Sequence, residues 1–205
     1  MASASDPIRC IVLAAGASTR LGQPKALVPV KSTSGGQDDE GIPLITHLVE
    51  RLEARGLEVV VVTRAEIVVD ILTALPERTV VINPNPDAGR TGTLQCGLRQ
   101  ILDTKGGERA FRLLVVPVDR PGFSDTTLAK LLGAQECCCP AKDGRGGHPL
   151  LLMPEDVGRV RAAQPDTPLR DLCSPLRFEV GDSHLHFNLD TPENLQLLNS
   201  DMWTD

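Results

Sequence analysis

The residues of this 205-residue chain whose types and spacing suit chemistry stand at the ends of apolar runs. Arg20 and Lys25 lie in "GASTRLGQPK", which follows "IRCIVLA" and is otherwise made largely of small residues and hydroxyls. Small side chains at Ala14, Ala15 and Gly16 let a ligand approach the main chain, whose N–H groups can cradle phosphates. Arg20 can grip a phosphate through two parallel hydrogen bonds, and Lys25 adds a compact point charge. The loop therefore reads as a phosphate-binding loop of an uncommon kind. G-x-x-x-x-G-K-S/T is absent, because Gly16 and Gly22 are followed by Gln23 and Pro24, and G-x-G-x-x-G is absent too. Asp119 and Asp190 each close an apolar run. Alone, Asp119 before Arg120 and Pro121 could start a turn, and Asp190 could support a helix beginning near Pro192. His148 reads alone as a core or turn histidine.

Alternating strands and helices must position these groups. "IRCIVLA", "LEVVVVT", "TVVIN" and "RLLVVPV" are short, β-branched and continuous, the pattern of parallel strands covered on both faces. Between them, Leu44, Ile45, Leu48, Val49 and Leu52 form one helical stripe, with Pro43 in the first turn and Gly56 as the stop. "AEIVVDILTAL", "GTLQCGLRQIL" and "SDTTLAKLLGA" predict three further helices, the last capped by Ser124. Such alternation implies right-handed βαβ units and an open, mainly parallel sheet. Beyond Gln135, "ECCCPA", "HPLLLM" and "LRFEV" read as shorter strands, antiparallel in part, mixed with two short helices, and "TPENLQLLN" as a last helix. Ligands of open α/β sheets bind beyond the carboxyl ends of the strands. Three polar segments fall there: 14–25, 83–93 and 118–122. "KSTSGGQDDEG", residues 31–41, reads as a flexible surface insertion.

Composition excludes several classes. The length suits one domain over residues 1–205, and a core poor in aromatics must be built from Val, Leu, Ile and Ala. A formal charge of −6 without a polybasic tract argues against nucleic acid as a partner. No apolar run approaches the roughly 20 residues of a membrane span, so no membrane partner is expected. The opening "MASASDPIRC" lacks the apolar segment of a signal peptide, which makes a cytoplasmic location the expectation. Cys137, Cys138 and Cys139 are consecutive, and strand neighbours point to opposite faces, so reduced thiols rather than a metal site are expected.

"LAAGASTRLGQPKAL" closely resembles the signature loop of the nucleotidyltransferases that activate small phosphorylated molecules with a nucleoside triphosphate. The resemblance is to the MobA-like group, and most of all to the molybdenum cofactor cytidylyltransferases. "NPNPDAGRTGTLQCGL" is similar to that family's base-binding segment and "VPVDRPG" to its metal-site motif. "GRGGHPLLL" resembles the acceptor-side Gly-His-Pro segment, and "NLDTPENL" the closing motif. Together they span residues 8–198 in the family's order. The resemblance implies a three-layer α/β/α, Rossmann-like (GT-A-like) nucleotidyltransferase fold, mostly parallel with a short antiparallel part and an acceptor-side region of about 136–188.

It also implies a reaction. A phosphate oxygen of the acceptor attacks the α-phosphate in line and expels pyrophosphate, so catalysis is positioning and charge neutralisation. Asp119 and Asp190 would hold Mg²⁺, with Asn188 as a rival to Asp190. Arg20 and Lys25, catalytic with Asp119, would hold the β- and γ-phosphates. Leu13, Ala14, Ala15, Gly16, Asn83, Thr91, Gly92 and Thr93 would hold base and ribose, and Gly147 and His148 the acceptor. "LAAG" rather than "LAGG" points to CTP, with molybdopterin as the acceptor. The other acceptors the resemblance allows are a sugar phosphate, a polyol phosphate or phospholactate. A non-catalytic nucleotide-binding module is the reading from another class. "AQPDTPLRDL" departs from the acidic, Gly-Ala-Arg-like stretch usual in the molybdenum cofactor enzymes, which puts the acceptor rather than the reaction in doubt.

Overall fold

The computed structural model describes residues 6–31, 41–105 and 110–198, so most of the insertion expected at residues 31–41 lies outside the described residues. The strands and α-helices follow in chain order: β1 (Ile8–Ala14), β2 (Pro29–Val30), β3 (Ile42–Pro43), α1 (Leu44–Glu53), β4 (Glu58–Arg64), α2 (Val68–Ala74), β5 (Thr79–Asn83) and α3 (Arg90–Lys105). After these come β6 (Arg112–Pro117), α4 (Asp125–Gly133), β7 (Cys138–Lys142), β8 (Arg145–Gly146), β9 (Leu150–Leu152), α5 (Pro154–Ala162), β10 (Leu176–Glu179) and α6 (Pro192–Leu198).

The main sheet runs β10-β7-β9-β6-β1-β4-β5, with β8 paired to β7. Strand β1 is parallel to β4 on one side and to β6 on the other. The order therefore reverses at β1, which puts a crevice between the ends of β1 and β6. Strand β9 runs antiparallel to β6 and β7, whereas β10 is parallel to β7. The antiparallel part is thus confined to β8 and β9. "LRFEV" is reached through α5 and a 3-10 turn at Leu169–Asp171, a connection long enough to return the chain in the parallel sense.

Period-two alternation along β1 divides the interior into two cores. Cys10, Val12 and Ala14 face one layer, with Leu44, Ile45, Leu48 and Leu52 of α1, Ile71 of α2 and Leu128 of α4. Ile11 and Leu13 face the other, with Leu94, Leu98 and Ile101 of α3 and Val157 and Val160 of α5. The five residues of the α1 stripe are fully buried. At about 1.5–3 kcal/mol each, their burial contributes on the order of 10 kcal/mol before chain entropy, enough to outweigh the lack of a side-chain N-cap. Ser124 does cap α4, its hydroxyl accepting from the Thr127 N–H at 3.1 Å. All six cysteines are free thiols. No helix among the described residues is long and apolar enough to cross a membrane.

Candidate active site

The crevice at the β1/β6 reversal is a cleft of about 410 Å³. Residues 13–17, at the end of β1 and in the loop after it, line the cleft together with Lys25, Thr93 and Asp119. The loop after β1 is shaped by Ser18, a non-glycine residue at φ 54°. The Ser18 carbonyl accepts from the N–H groups of Leu21 and Gly22, and its hydroxyl accepts from the Lys25 N–H at 3.2 Å. One side chain thereby fixes where the Lys25 backbone begins, and the ammonium is carried to the carboxylates.

The Lys25 Nζ donates to Asp190 Oδ1 at 2.5 Å and to Asp119 Oδ2 at 3.3 Å, while Arg20 Nη2 donates to Asp190 Oδ2 at 3.0 Å. These four residues come from three segments of the chain. A backbone bond from the Leu189 N–H to the Asp119 carbonyl, 3.0 Å, ties two of those segments together. Gly122 completes the join, since a Cβ there would stand 2.0 Å from the His184 carbonyl oxygen. Lys25, with Arg20 and Arg120 further off, holds the Asp190 carboxyl below the usual carboxylate range.

The Asp190 carboxylate does not support the start of α6. The N–H groups of Asp190 and Thr191 both donate to Asn194 Oδ1, at 3.2 and 3.0 Å, so Asn194 organises the start of α6. The Asp190 carboxylate is left for Lys25, Arg20 and Asn188, whose amide donates to it. Asn188 therefore orients Asp190, and its own Oδ1 is buried without a hydrogen-bond partner. Two carboxylates converging on one ammonium mark a point where positive charge is favoured. Their oxygen donors suit a hard divalent cation that also takes phosphate oxygens and water.

The residues expected to hold base and ribose divide into two groups. Leu13, Ala14, Ala15, Gly16 and Thr93 line the cleft. Asn83 and Thr91 lie behind it, 3% and 1% exposed. Asn83 Nδ2 donates to Thr93 Oγ1 at 3.0 Å, and Thr91 Oγ1 donates to the Thr167 carbonyl at 2.6 Å. The Gly92 N–H donates to the Pro165 carbonyl at 2.9 Å. These three residues therefore hold the start of α3 in place. "AQPDTPLRDL" supplies the carbonyls that clamp it.

On the far side of Asp119, the Gly147 N–H donates to the Pro140 carbonyl at 2.7 Å, and a Cβ at Gly147 would meet Leu185 at 2.8 Å. His148, joined to Pro149 by a cis peptide bond, has its Nδ1 buried without a hydrogen-bond partner. Burial lowers its pKa to about 4, and Arg90 and Arg120 push the same way. Arg120 is half-buried and donates to the His186 carbonyl at 3.2 Å. Arg90 stands in the first turn of α3 and lines the cleft. A cation there opposes the helix dipole, which is the signal in "AGRTG" that points to a ligand rather than to helix stability. Sequence reasoning assigned no role to Arg90, Arg120 or Ser18.

With this geometry in view, the comparisons with known proteins place the chain in a family. The model of the MobA-like NTP transferase domain matches residues 10–180, and the chain belongs to that family. A molybdenum cofactor guanylyltransferase of Xanthomonas euvesicatoria pv. vesicatoria (strain 85-10) is 33% identical over 131 residues. The match covers 64% of this chain and 57% of that relative, so the chain spans little more than half of the relative's length. Among solved structures, Rv0371c of Mycobacterium tuberculosis H37Rv shares the fold with a TM-score of 0.73 and 21% identity, over 96% of this chain and 98% of its own. A complex of Rv0371c with manganese aligns at a TM-score of 0.70 and 19% identity, over 95% of this chain and 99% of its own.

Proposed function

We propose that this protein is a Mg²⁺-dependent nucleotidyltransferase that moves CMP from CTP to a phosphorylated small molecule, with molybdopterin as the acceptor, and releases pyrophosphate. The observation that carries the reading is the meeting of Asp190 and Arg20 with Lys25 and Asp119, which line a cleft formed by the loop after β1. Asp119 and Asp190 would hold Mg²⁺, which supplies charge neutralisation at the transferring phosphate. Lys25 fills the point between the carboxylates in the ligand-free chain. On loading it would exchange a carboxylate for phosphate oxygens, most completely where a metal neutralises Asp119 and Asp190 in its place. Arg20, with a side chain 73% exposed, is free to swing onto the leaving pyrophosphate. No side chain need act as a general base, because an ionised phosphate is already a nucleophile.

CTP is favoured by Ala15, which lines the cleft and has a methyl group where a glycine would leave more room for a larger base. The relative named a guanylyltransferase makes GTP the competing donor. A cleft that neutralises anions also fits a sugar phosphate, a polyol phosphate or phospholactate, and the acceptor panel decides among them. The test is pyrophosphate release by purified protein with Mg²⁺, CTP or GTP, and these acceptors. CTP-dependent release that disappears in Asp119→Ala, with an unchanged melting curve, is the expected result. Tight nucleotide binding without turnover on any acceptor would instead make the protein a binding module, and full activity in Asp119→Ala would remove the metal assignment.

A further inference from the structure

On the face of the sheet covered by α3 and α5, the buried thiols of Cys139 and Cys173 pack in one cluster, with Cys137 against it. Cys137 immediately precedes β7, and Cys173 lies between the Leu169–Asp171 turn and β10. The parallel pairing of these strands, with Leu176 opposite Cys138, holds the two segments side by side. The Leu176 N–H donates to the Cys137 carbonyl at 2.8 Å. Cys137, half-buried, and Cys173, 6% exposed, both line an open surface cleft of about 790 Å³, separate from the nucleotide cleft.

We propose that Cys137 and Cys173 are a redox-active dithiol, oxidised by peroxides to an intramolecular disulfide. Cys173 is the attacking sulfur. Its thiol donates to the Leu169 carbonyl at 3.4 Å, and Arg159, whose guanidinium donates to the Leu172 carbonyl at 2.8 Å and to the Asp156 carboxylate, lines the same cleft. The neighbouring Cys137 thiol lowers the Cys173 pKa, with burial and Asp156 opposing and Arg159 helping, while Cys173, burial and Asp156 all raise that of Cys137. Burial raises the pKa of Cys10, Cys138 and Cys139, which makes them poorer nucleophiles, and Cys96, whose sulfur accepts from Arg99 Nη2 at 3.5 Å on α3, does not line this cleft.

The chemistry balances in two steps. The Cys173 thiolate attacks one peroxide oxygen; an S–O bond forms, the O–O bond breaks, and hydroxide leaves with the proton Cys173 gave up. Cys137 then attacks the sulfur of that sulfenic acid; the S–S bond forms, the S–O bond breaks, and the leaving oxygen takes the Cys137 proton as water. Two electrons pass from the sulfurs to the peroxide, giving one disulfide and two waters. The bond would staple the start of β7 to the segment whose Pro165 and Thr167 carbonyls clamp the start of α3.

The test is titration of the reduced protein with hydrogen peroxide, followed by intact mass, thiol counting and peptide mapping. One equivalent is expected to lower the mass by about 2 Da and remove two of the six thiols. Mapping should join Cys137 to Cys173, and dithiothreitol should restore both thiols. Cys137→Ser should let Cys173 reach the sulfenic acid, trapped by dimedone, without an internal disulfide. Cys173→Ser should leave Cys137 unmodified under the same treatment. A disulfide to Cys139 instead, equal reactivity of the two variants, or six thiols surviving excess peroxide would each overturn the proposal.

Discussion

Replacing Asp190 by Asn removes one charge with almost no change of volume, and the site predicts opposite effects with and without metal. In the ligand-free chain Asp190 accepts from Lys25 at 2.5 Å and from Arg20 at 3.0 Å, so both loop cations are partly neutralised before a ligand arrives. The amide oxygen can still accept from the Lys25 ammonium, but Asp119 at 3.3 Å is then its one carboxylate partner. A phosphate oxygen seated on that ammonium would lie roughly 5–6 Å from the lost carboxylate. At an effective dielectric of about 40, relief of that repulsion is worth about 1.5 kcal/mol, or about tenfold in affinity. Calorimetric titration of CTP in the presence of a chelator should therefore show Asp190→Asn binding more tightly than the parent. On the proposed Mg²⁺ site, in which Asp190 would be one of two carboxylate ligands, its loss should lower kcat/KM by about 10²–10³-fold, the scale of a lost transition-state charge contact. Pyrophosphate release measures that arm. Unchanged or weaker metal-free binding, together with normal Mg²⁺-dependent turnover, would refute the reasoning and leave Asp190 as a packing partner of Lys25.

Two further outcomes follow from the same geometry. Gly122→Ala forces a Cβ to within 2.0 Å of the His184 carbonyl oxygen, where backbone must give way. Thermal melts should show a loss of about 1–3 kcal/mol or more, and turnover should fall as well, because the displaced segment leads to Asp190. Stability should also fall in mild acid. Burial, with Arg51 for His47 and with Arg90 and Arg120 for His148, lowers both pKa values from 6.5 to about 4. The unfolded chain therefore binds protons first. The stabilisation is complete above pH 6.5 and is lost as pH falls towards 4, by roughly 3 kcal/mol per histidine. Urea titrations at pH 7.5 and 4.5 measure this, and His148→Gln should flatten the slope; an identical slope in the variant would count against the assignment.

What the sequence could show followed from local periodicity. Continuous β-branched runs located β1, β4, β5 and β6, and the i, i+3, i+4 stripe from Leu44 to Leu52 located α1, because each burial pattern is written within a few residues. The same alternation placed residues 14–25, 83–93 and 118–122 at the carboxyl ends of strands. Arg20, Lys25, Asp119 and Asp190 were therefore legible as candidates. Less was legible beyond Gln135. Strands of three to five residues carry too little pattern to state their direction, and β10 joined β7 in the parallel sense.

Tertiary structure decided how those residues combine. Lys25 and Asp190 are far apart in the chain, and only the reversal of strand order at β1 and the Asp119–Leu189 backbone bond bring them together. It also separated residues that sequence grouped: Thr93 reaches the cleft, while Asn83, Thr91 and Gly92 hold α3 from behind. The closeness of the Cys137 and Cys173 segments likewise arises from the pairing of β7 with β10. A side chain's type is fixed by one position, but its partner depends on which strands lie side by side. That is set by the packing of the whole sheet against both helical layers.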